Sequence, residues 1–421
     1  MKRHNPCALV LMTDQQSDAP TPAPASASSH GQLTSTQALR ELVEATFPSE
    51  HFVYAFGYGS GVFSQTLTSL STLSLDEKSS QSPGMLDMIF VVRHAPDFHE
   101  ANQAQNPHHY ATWLRTLDRF STSTSGSFAA NLQRRFLGGR DAKVLFHVID
   151  YPVPLKYGVI QYEDFLNDLT QWESLYIAGR LHKPTLELPT VGHQQQLTNE
   201  LQHALRTNLQ AAVAAAMLLS PLQQQSPTTS SSSSSSSSIP TLIPWLDLYS
   251  QIAALSYTGD FRMQVGGEDP HKIQKLVQAP GQMNRFHALY GGMQESNNHA
   301  ASNSDILGSM QESGLISIGT SGVEWDPLDV SARTQLIQRL PLAVKKPLLV
   351  PTTSTSRHQN SASNPVHNYL TQQQETLAQT LASIVAPAAR YQSMKGILTF
   401  GLRNSVKYGS AKLAKGLFRK R

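Results

Sequence analysis

Two short segments carry the residues best suited to phosphate chemistry. The first segment, Phe52–Gly61, is an apolar run that ends in Gly59, Ser60 and Gly61. Glycines allow positive φ and let the backbone approach a phosphate, and the backbone N–H groups of such a turn can cradle an anion. Glycine-rich turns after strands are common, so an ordinary connecting turn is the alternative interpretation.

The second segment is an apolar strand that contains one acid, Asp87, within Leu86–Val92. A buried carboxylate is costly unless it is paired or binds a metal. Mg²⁺ takes ligands from carboxylates and from nucleotide phosphates. Asp87 is therefore a candidate Mg²⁺ ligand; the alternative is an acid at a strand end that faces solvent.

A Gly-Ser turn after one strand and an acid on the next strand is the layout of the nucleotidyltransferase fold. That second strand usually carries two acids one residue apart, but the second position here is Ile89. The predicted metal site is thus one ligand short. Asp150, at the end of a third predicted strand, is a candidate replacement, although it can instead cap the turn that precedes Pro152.

Cationic residues follow that are suited to a triphosphate and an anionic acceptor. Lys156, Arg180 and Lys183 could lie near the phosphate site, where they would neutralise charge. Solvent-exposed surface charge is the alternative for each of them.

Hydrophobic spacing predicts an α/β region followed by a mostly helical one. The predicted strands are 52–56, 85–92 and 143–151. The predicted helices are 36–47, 106–117, 162–176, 194–219, 245–255 and 273–277, with polar loops at 291–310 and 352–366. The resulting division is a tail at 1–35, an α/β domain at 36–190, a helical domain at 191–345 with a serine-rich insertion at 221–240, a linker and helix at 346–390, and a tail at 391–421.

Composition restricts the class of protein. Cys7 is the only cysteine among 421 residues, so neither an internal disulfide nor a cysteine-based zinc site is possible. The net charge of +3 is too small to indicate nucleic-acid binding, and no apolar run is long enough to span a bilayer. The N-terminal tail is either disordered or an organellar transit segment, although Asp14 and Asp18 are atypical of the latter.

The C-terminal tail differs from the rest of the chain. No acid follows Glu375, and the last stretch, from Lys395 to Arg421, is rich in lysine and arginine. Leu398, Leu402 and Val406 fall on one helical face. A basic helix with an apolar stripe is typical of a membrane-surface segment, and a helix packed on its own domain is the alternative.

Several strings, in order along the chain, resemble the mitochondrial translocator-assembly-and-maintenance family of phosphatidate cytidylyltransferases. These strings are Tyr58-Gly-Ser-Gly-Val-Phe63, Met85-Leu-Asp-Met-Ile-Phe90, His99 to Tyr110, Lys156-Tyr-Gly-Val-Ile160, Leu175 to Pro184, Ile252 to Met263, Phe286 to Gly291, and Ser393 to Gly401. The resemblance covers about residues 36–300 and the C-terminal segment. Phe98 stands where the family often has tryptophan.

The resemblance implies a nucleotidyltransferase-fold domain, a winged-helix-like domain and a membrane-associating amphipathic C-terminal helix. It implies transfer of CMP from CTP to phosphatidic acid, giving CDP-diacylglycerol and pyrophosphate for cardiolipin and phosphatidylglycerol synthesis. It also implies Mg²⁺ dependence and a peripheral location on the matrix side of the mitochondrial inner membrane. No nucleic-acid partner is expected.

The expected roles of individual residues follow from this resemblance. Asp87 and Lys156 would be catalytic, with Asp87 also the Mg²⁺ ligand, and the turn Gly59–Gly61 would hold the triphosphate together with Arg180 and Lys183. Further candidate site residues are Asp150, Asp168 and His109.

Two other functions fit the same sequence features. One is a non-enzymatic assembly factor that keeps the fold, and the intact Gly-Ser turn and Asp87 argue against it. The other is a nucleotidyltransferase with a non-lipid acceptor. The nearly neutral body and the basic tail argue against a nucleic-acid acceptor.

Overall fold

The structure is a computed structural model. It describes residues 28–63, 85–120, 128–134, 142–149, 154–188, 198–221, 240–264, 269, 271–291, 305–349 and 365–400. Residues 1–27, the serine tract, Asp150 and the basic segment after residue 400 lie outside these ranges. The prediction of an N-terminal tail up to residue 35 is wrong at its end, because residues 28–35 belong to the helix Ser28–Thr46.

A five-stranded mixed sheet forms the centre of the N-terminal half. Its strands are β1 (Phe52–Tyr58), β2 (Leu86–Val92), β3 (Val144–Ile149), β4 (Leu155–Gln161) and β5 (Leu186–Glu187). The strand order is β3-β4-β2-β1-β5. Strands β2 and β4 are parallel, whereas β1 runs antiparallel to β2 and to β5, and β3 runs antiparallel to β4.

Helices cover both faces of this sheet. The helices of this half are α1 (Ser28–Thr46), α2 (Ala95–Gln105), α3 (Thr112–Phe120), α4 (Phe128–Arg134), α5 (Tyr162–Gln171) and α6 (Ala178–Leu181). Because side chains alternate along a strand, Phe90 of β2 packs with Phe47 on one face, while Ile89 packs with Phe165 of α5 on the other. The second face is continuous with the core of the C-terminal half.

The C-terminal half is helical around a three-stranded antiparallel sheet. Its strands are β6 (Thr241–Pro244), β7 (Ser317–Ile318) and β8 (Gly322–Trp325), in the order β6-β8-β7. Its helices are α7 (Asn199–Leu219), α8 (Trp245–Ala254), α9 (Phe261–Gln264), α10 (Lys272–Gln278), α11 (Gln282–Tyr290), α12 (Ile306–Glu312), α13 (Val330–Arg339) and α14 (Leu342–Leu349). The alanine-rich end of α7 is buried all round, which allows α5, α8 and α13 to pack closely against it.

The last described element, α15 (Pro365–Phe400), runs back from the helical half onto the first sheet. Gln392 Nε2 donates to the carbonyl of Val144 at 2.9 Å, and Lys395 Nζ donates to the carbonyl of Gln133 at 3.1 Å. Lys395 is 1% exposed. Its ammonium is therefore a buried anchor, contrary to the expectation that it belongs to the lipid-facing charge of the tail. The helix also runs without a break through the boundary predicted at residue 390.

Several elements differ from their predictions for local reasons. Strand β4 and helix α2 were not predicted, and the helix predicted over 106–117 is a 3₁₀ turn at Pro107–His109 followed by α3. The helix predicted over 162–176 ends at Gln171, where Trp172 adopts a left-handed conformation with φ of 52°. Helix α12 begins inside a predicted polar loop because Asp305 caps it, accepting from the N–H of Gly308 at 2.8 Å.

Within the described residues, no helix combines the length and the apolar character needed to cross a bilayer.

Candidate active site

The glycine turn lies against the beginning of β2. Gly59 has a φ of +81°, a conformation that favours glycine, and the 3₁₀ turn Ser60–Val62 follows it. A Cβ atom on Gly61 would lie 2.3 Å from the carbonyl oxygen of Met85, so only glycine fits there. A Cβ on Gly59 would lie 3.8 Å from Asp87 Oδ2. The turn backbone and the Asp87 carboxylate are therefore neighbours.

Strand register brings the two predicted catalytic residues together. Asp87 pairs with Tyr58 on one side and with Lys156 on the other. The Nζ atom of Lys156 lies 3.6 Å from Asp87 Oδ1, and each side chain is 31% exposed. Burial lowers the pKa of Lys156, but the oxygens of Tyr58 and Asp87 raise it by more, so the pKa lies above its ordinary value. Lys156 is therefore a cation at neutral pH.

Aromatic rings hold Arg180 beside this pair. The guanidinium carbon lies 4.0 Å from the centre of the Tyr176 ring and 5.0 Å from that of Tyr58. Nη1 donates to the carbonyl oxygen of Tyr176. Burial lowers the pKa of Arg180, yet Tyr176 and Tyr58 raise it above its ordinary value. Arg180 is thus a fixed cation on a pre-organised support, as a phosphate site requires.

The segment that carries Tyr176 and Arg180 is organised by Asp168. The Asp168 carboxylate accepts four backbone N–H groups, from Ser174, Leu175, Ile177 and Ala178, and also the Ser174 hydroxyl, all at 2.8–2.9 Å. Asp168 is 3% exposed and does not line the cavity described below. The structure therefore places it behind the site.

Lys183 lies where the two halves of the molecule meet. Its Nζ donates to Ser256 Oγ at 2.8 Å and to the carbonyl of Ala253 at 3.4 Å, and it stands 5.0 Å from the centre of the Tyr257 ring. Burial, together with the charges of Arg180 and Lys272, lowers the pKa of Lys183 well below its ordinary value. An anion in the cavity would offset this repulsion and favour the charged form.

These side chains line one cavity of about 570 Å³ between the first sheet and the helical half. Six basic side chains and three carboxylates line it: Lys156, Arg180, Lys183, Arg262, Lys272, Lys275, Asp87, Asp260 and Asp269. Each carboxylate has a cationic partner, because Asp87 faces Lys156 at 3.6 Å, Asp260 pairs with Arg262 at 2.6 Å and Asp269 pairs with Lys275. Basic side chains still outnumber the carboxylates two to one. The cavity is consequently suited to a polyanionic ligand.

Five of these charged residues were not predicted as site residues: Asp260, Arg262, Asp269, Lys272 and Lys275. Asp260 and Arg262 belong to the string Ile252 to Met263, which was quoted for the resemblance. An acid and a base two residues apart in such a string was the feature from which they could have been predicted as site residues. Lys272 and Lys275 lie on a short helix, where they cannot be distinguished from surface charge by pattern alone. Only the packing of α10 beside Tyr257 places them at the cavity, with Lys272 Nζ 5.1 Å from the ring centre.

Other predicted residues are not brought into the cavity. His109 lies on the opposite face of the sheet, where its Nδ1 is 3.0 Å from the hydroxyl of Tyr157. Gly61 does not line the cavity either, whereas Gly59 does. For Ser60 the structure describes only the backbone, and Asp150 lies outside the described residues.

His109 belongs to a buried polar cluster that explains the run from His99 to Tyr110. The Tyr110 hydroxyl lies 2.9 Å from His99 Nδ1 and accepts from Asn102 Nδ2 at 3.1 Å, while His147 Nδ1 lies 3.0 Å from the carbonyl of His109. Burial lowers the pKa of His99 and of His109 to about 4 and that of His147 to about 3. These imidazoles are neutral at physiological pH and join strands to helices by hydrogen bonds.

The chain matches known proteins along most of its length. The family model described as "Phosphatidate cytidylyltransferase, mitochondrial" matches residues 39–415. The protein of that name from Bos taurus is 32% identical over 88% of this chain and 91% of its own length. That from Schizosaccharomyces pombe is 28% identical over 87% of this chain and 80% of its own length. The match to the Drosophila melanogaster protein, at 33% identity, covers 58% of this chain and 62% of that protein.

A cavity rich in basic side chains beside a glycine turn and a strand acid, combined with these matches, defines a nucleotidyltransferase enzyme. The chain belongs to the family of mitochondrial phosphatidate cytidylyltransferases. Family membership favours enzymatic cytidylyl transfer to a lipid over the assembly-factor and non-lipid-acceptor alternatives.

Proposed function

We propose that CTP and phosphatidic acid meet in the cavity between the first sheet and the helical half, where CMP is transferred to the lipid phosphate. The observation that carries this proposal is the convergence of Gly59, Asp87, Lys156 and Arg180 on one cavity. Their positions along the chain are far apart, so the cluster is a product of the fold. Its excess of positive charge matches the two anionic substrates that the family name implies.

The reaction requires charge neutralisation more than it requires a base. An oxygen of the acceptor phosphate attacks the α-phosphorus of CTP and forms a new P–O bond. The bond from the α-phosphorus to the bridging oxygen breaks, and pyrophosphate leaves with that electron pair. The acceptor is already ionised near neutral pH, so the barrier lies mainly in bringing two anions together in line. Lys156 and Arg180 are placed to neutralise that charge.

The residues present fit a magnesium ion that is bound mainly through substrate. Mg²⁺ in nucleotide sites usually keeps several waters and uses one or two carboxylates together with phosphate oxygens. Asp87 is a partly exposed carboxylate in the cavity wall beside the glycine turn, and it is the donor that we assign to the ion. When bound, the ion would neutralise phosphate oxygens. Among the described residues there is no cluster of three His, Cys, Asp or Glu that could form a complete protein cage.

The two walls of the cavity suit two different ligands, the triphosphate of CTP and the phosphate of the acceptor lipid. The sheet side carries Gly59, Asp87 and Lys156, which we assign to the triphosphate together with Arg180 and Lys183. Ser60, the next residue of the glycine turn, is part of the same assignment. The helical side carries Arg262, Lys272 and Lys275, which we assign to the acceptor phosphate. This arrangement would bring the acceptor towards the α-phosphorus from the wall opposite the glycine turn.

Lys272→Gln should raise the KM for phosphatidic acid about tenfold, because one cationic contact to the acceptor phosphate is lost. The KM for CTP should change little. Lys346→Gln, on the exposed surface of α14, is the matched control. Steady-state kinetics with each substrate varied separately would measure both constants. A larger effect on CTP than on the lipid would reverse our assignment of the two walls.

The proposed activity itself has a direct test. Purified full-length protein, given CTP, phosphatidic acid and Mg²⁺, is expected to form CDP-diacylglycerol and pyrophosphate in equal amounts. Chelation of the metal should stop the reaction, and readdition of Mg²⁺ should restore it. Failure of the wild-type protein to form the liponucleotide, with the metal and both substrates present, would refute the proposed function.

The finer architecture and location are part of the same proposal. We assign a nucleotidyltransferase fold to residues 36–190 and a winged-helix-like fold to 191–345, which contains the three-stranded sheet with its helices. Peripheral attachment to the matrix face of the inner membrane would come from the basic segment after Phe400, in support of cardiolipin and phosphatidylglycerol synthesis. Because Gln392 and Lys395 bond to the first half of the molecule, the face of α15 that carries them is not available to lipid.

A further inference from the structure

Exposed apolar side chains from two helices share one surface at the C-terminal end of α15. Trp113 and Leu117 of α3 are 37% and 42% exposed, and Met394, Ile397 and Leu398 of α15 are 46%, 50% and 44% exposed. Residues three or four apart lie on one helical face, so each set forms one stripe. Trp113 Nε1 donates to the carbonyl oxygen of Leu398 at 3.2 Å, which joins the two stripes. We call these five residues the apolar end patch.

The apolar end patch has the chemistry of a membrane-interface surface. Contiguous exposed apolar patches mark interaction sites, and tryptophan is enriched where a membrane meets water. The indole N–H of Trp113 donates to a carbonyl in the last turn of α15, and one edge of the ring packs against Phe128. The exposed part of the ring can contact apolar groups without leaving a polar group unsatisfied.

The sequence that follows the patch indicates which partner it takes. Residues 401–421 contain seven lysines and arginines and no acid. Each basic residue close to an anionic lipid surface adds about 1 kcal/mol of attraction. An apolar surface next to this much positive charge matches an anionic bilayer better than it matches a neutral protein surface.

Helix α15 fixes the distance between the patch and the cavity. Val385 and Ala389 line the cavity, and Ala389 is eight residues before Ile397, which corresponds to about 12 Å along the helix axis. The hydrogen bonds of Gln392 and Lys395 hold the intervening turns on the sheet. The apolar side of an interfacial helix sinks about 5–10 Å into a bilayer, so insertion of the patch would bring the cavity close to the lipid phosphates.

We propose that the apolar end patch, including the Trp113 and Leu117 face of α3, inserts into the interfacial region of an anionic bilayer and sets the orientation of the cavity towards the lipid. The α3 face is thus a second membrane contact besides the basic tail. This inference rests on the proposed function only in that the acceptor is a bilayer lipid; the contact itself is measurable without catalysis.

Tryptophan fluorescence reports the contact directly. The chain has four tryptophans, of which Trp172, Trp245 and Trp325 are buried and Trp113 is exposed. With phosphatidylcholine vesicles that contain about one third phosphatidylglycerol, lipids brominated near the headgroup should quench Trp113. The quenching should disappear in Trp113→Phe. Quenching that is absent in wild type, or that persists in Trp113→Phe, would overturn the proposal.

A double variant tests whether the patch contributes to binding. Leu117→Gln with Ile397→Gln should lower partition onto the same vesicles about tenfold, from the loss of apolar transfer. The control is Val330→Gln with Leu342→Gln, two exposed apolar positions on other helices, which should partition like wild type. Equal partition of both double variants would refute the role of the patch.

Two further measurements separate the possible failures. Removal of residues 401–421 should leave the acrylamide accessibility of Trp113 unchanged without vesicles; increased accessibility would mean that this segment covers the patch, and would overturn the proposal. The Leu117→Gln, Ile397→Gln variant should turn over a short-chain, water-soluble phosphatidic acid at the wild-type rate and vesicle-bound lipid more slowly. If the wild type converts neither lipid, the proposed function fails, whereas the fluorescence result still decides the membrane contact.

Discussion

Asp87→Asn is expected to lower kcat for CDP-diacylglycerol formation by roughly 10²–10³-fold, equivalent to about 3–4 kcal/mol of transition-state stabilisation. Asparagine keeps the shape of the side chain but removes the negative charge beside the glycine turn. The cavity then lacks the carboxylate that we assign to Mg²⁺, and Lys156 loses the acid 3.6 Å from its Nζ. The protein should remain folded because Asp87 is partly exposed at a strand end.

Metal dependence distinguishes this role from a purely structural one. The variant should need a higher Mg²⁺ concentration for half-maximal activity, since an amide is a weaker ligand than a carboxylate. CTP binding measured without metal should not weaken, because the substitution removes a charge that repels the triphosphate. Asp247→Asn, an exposed acid in the first turn of α8, is the matched control. Wild-type activity in Asp87→Asn, or a loss independent of metal concentration, would contradict our assignment.

The structure also suggests why β2 carries only one acid. Ile89 is buried, with its Cδ1 atom 3.0 Å from where a Cβ on Gly158 would lie. Ile89 packs against Gly158 of β4, which has no side chain. A carboxylate in place of Ile89 would therefore be desolvated without a partner. In our proposal the ion therefore takes its remaining ligands from phosphates and water.

The part of the site that was predictable from sequence is the part made by neighbouring segments. An apolar run ending in Gly59-Ser60-Gly61, followed by a strand with one acid, indicated the turn and Asp87. Alternation along the strand then places Asp87 and Ile89 on the same face. Strand β4 was missed because Lys156 and its neighbours were interpreted for their charge, although residues 155–161 form a buried strand.

The rest of the site depends on contacts between distant segments. Asp87 and Lys156 are neighbours because β2 and β4 pair in parallel with that register. The sequence of either strand alone does not determine the register. Lys272 and Lys275 reach the cavity because α10 packs on α8 and beside Tyr257. Local periodicity cannot separate such residues from a solvated helical face.

Asp168 was a candidate site residue, but its role is visible only in the fold. Its position in a helical pattern suggests an ordinary polar residue, yet its carboxylate accepts four backbone N–H groups within residues 174–178. Trp172 and Leu175 have φ values of 52° and 53°, a region that costs free energy for residues other than glycine. The carboxylate offsets that cost and directs Tyr176 and Arg180 towards the cavity.

Asp168→Asn is therefore expected to lower the free energy of unfolding by about 3–5 kcal/mol. The amide keeps one accepting oxygen, but its NH₂ group faces backbone N–H donors, so two of the charge-assisted hydrogen bonds are lost. Chemical denaturation would measure the change. Ser174→Ala removes a hydroxyl that donates to Asp168 at 2.8 Å and accepts from the N–H of Tyr176 at 3.3 Å, and it should cost about 1 kcal/mol, which makes it the matched control.

Kinetics at low temperature, where Asp168→Asn remains folded, test whether Asp168 positions Arg180. The variant should raise the KM for CTP, because Arg180 would no longer be held over the Tyr176 ring. Arg180→Ala should raise the same KM, and combining both substitutions should add little further, since residues that act through one another are not additive. Additive effects would mean that Asp168 supports the fold independently of Arg180. A variant with wild-type stability and wild-type KM would show that the backbone of residues 174–178 holds its conformation without the carboxylate.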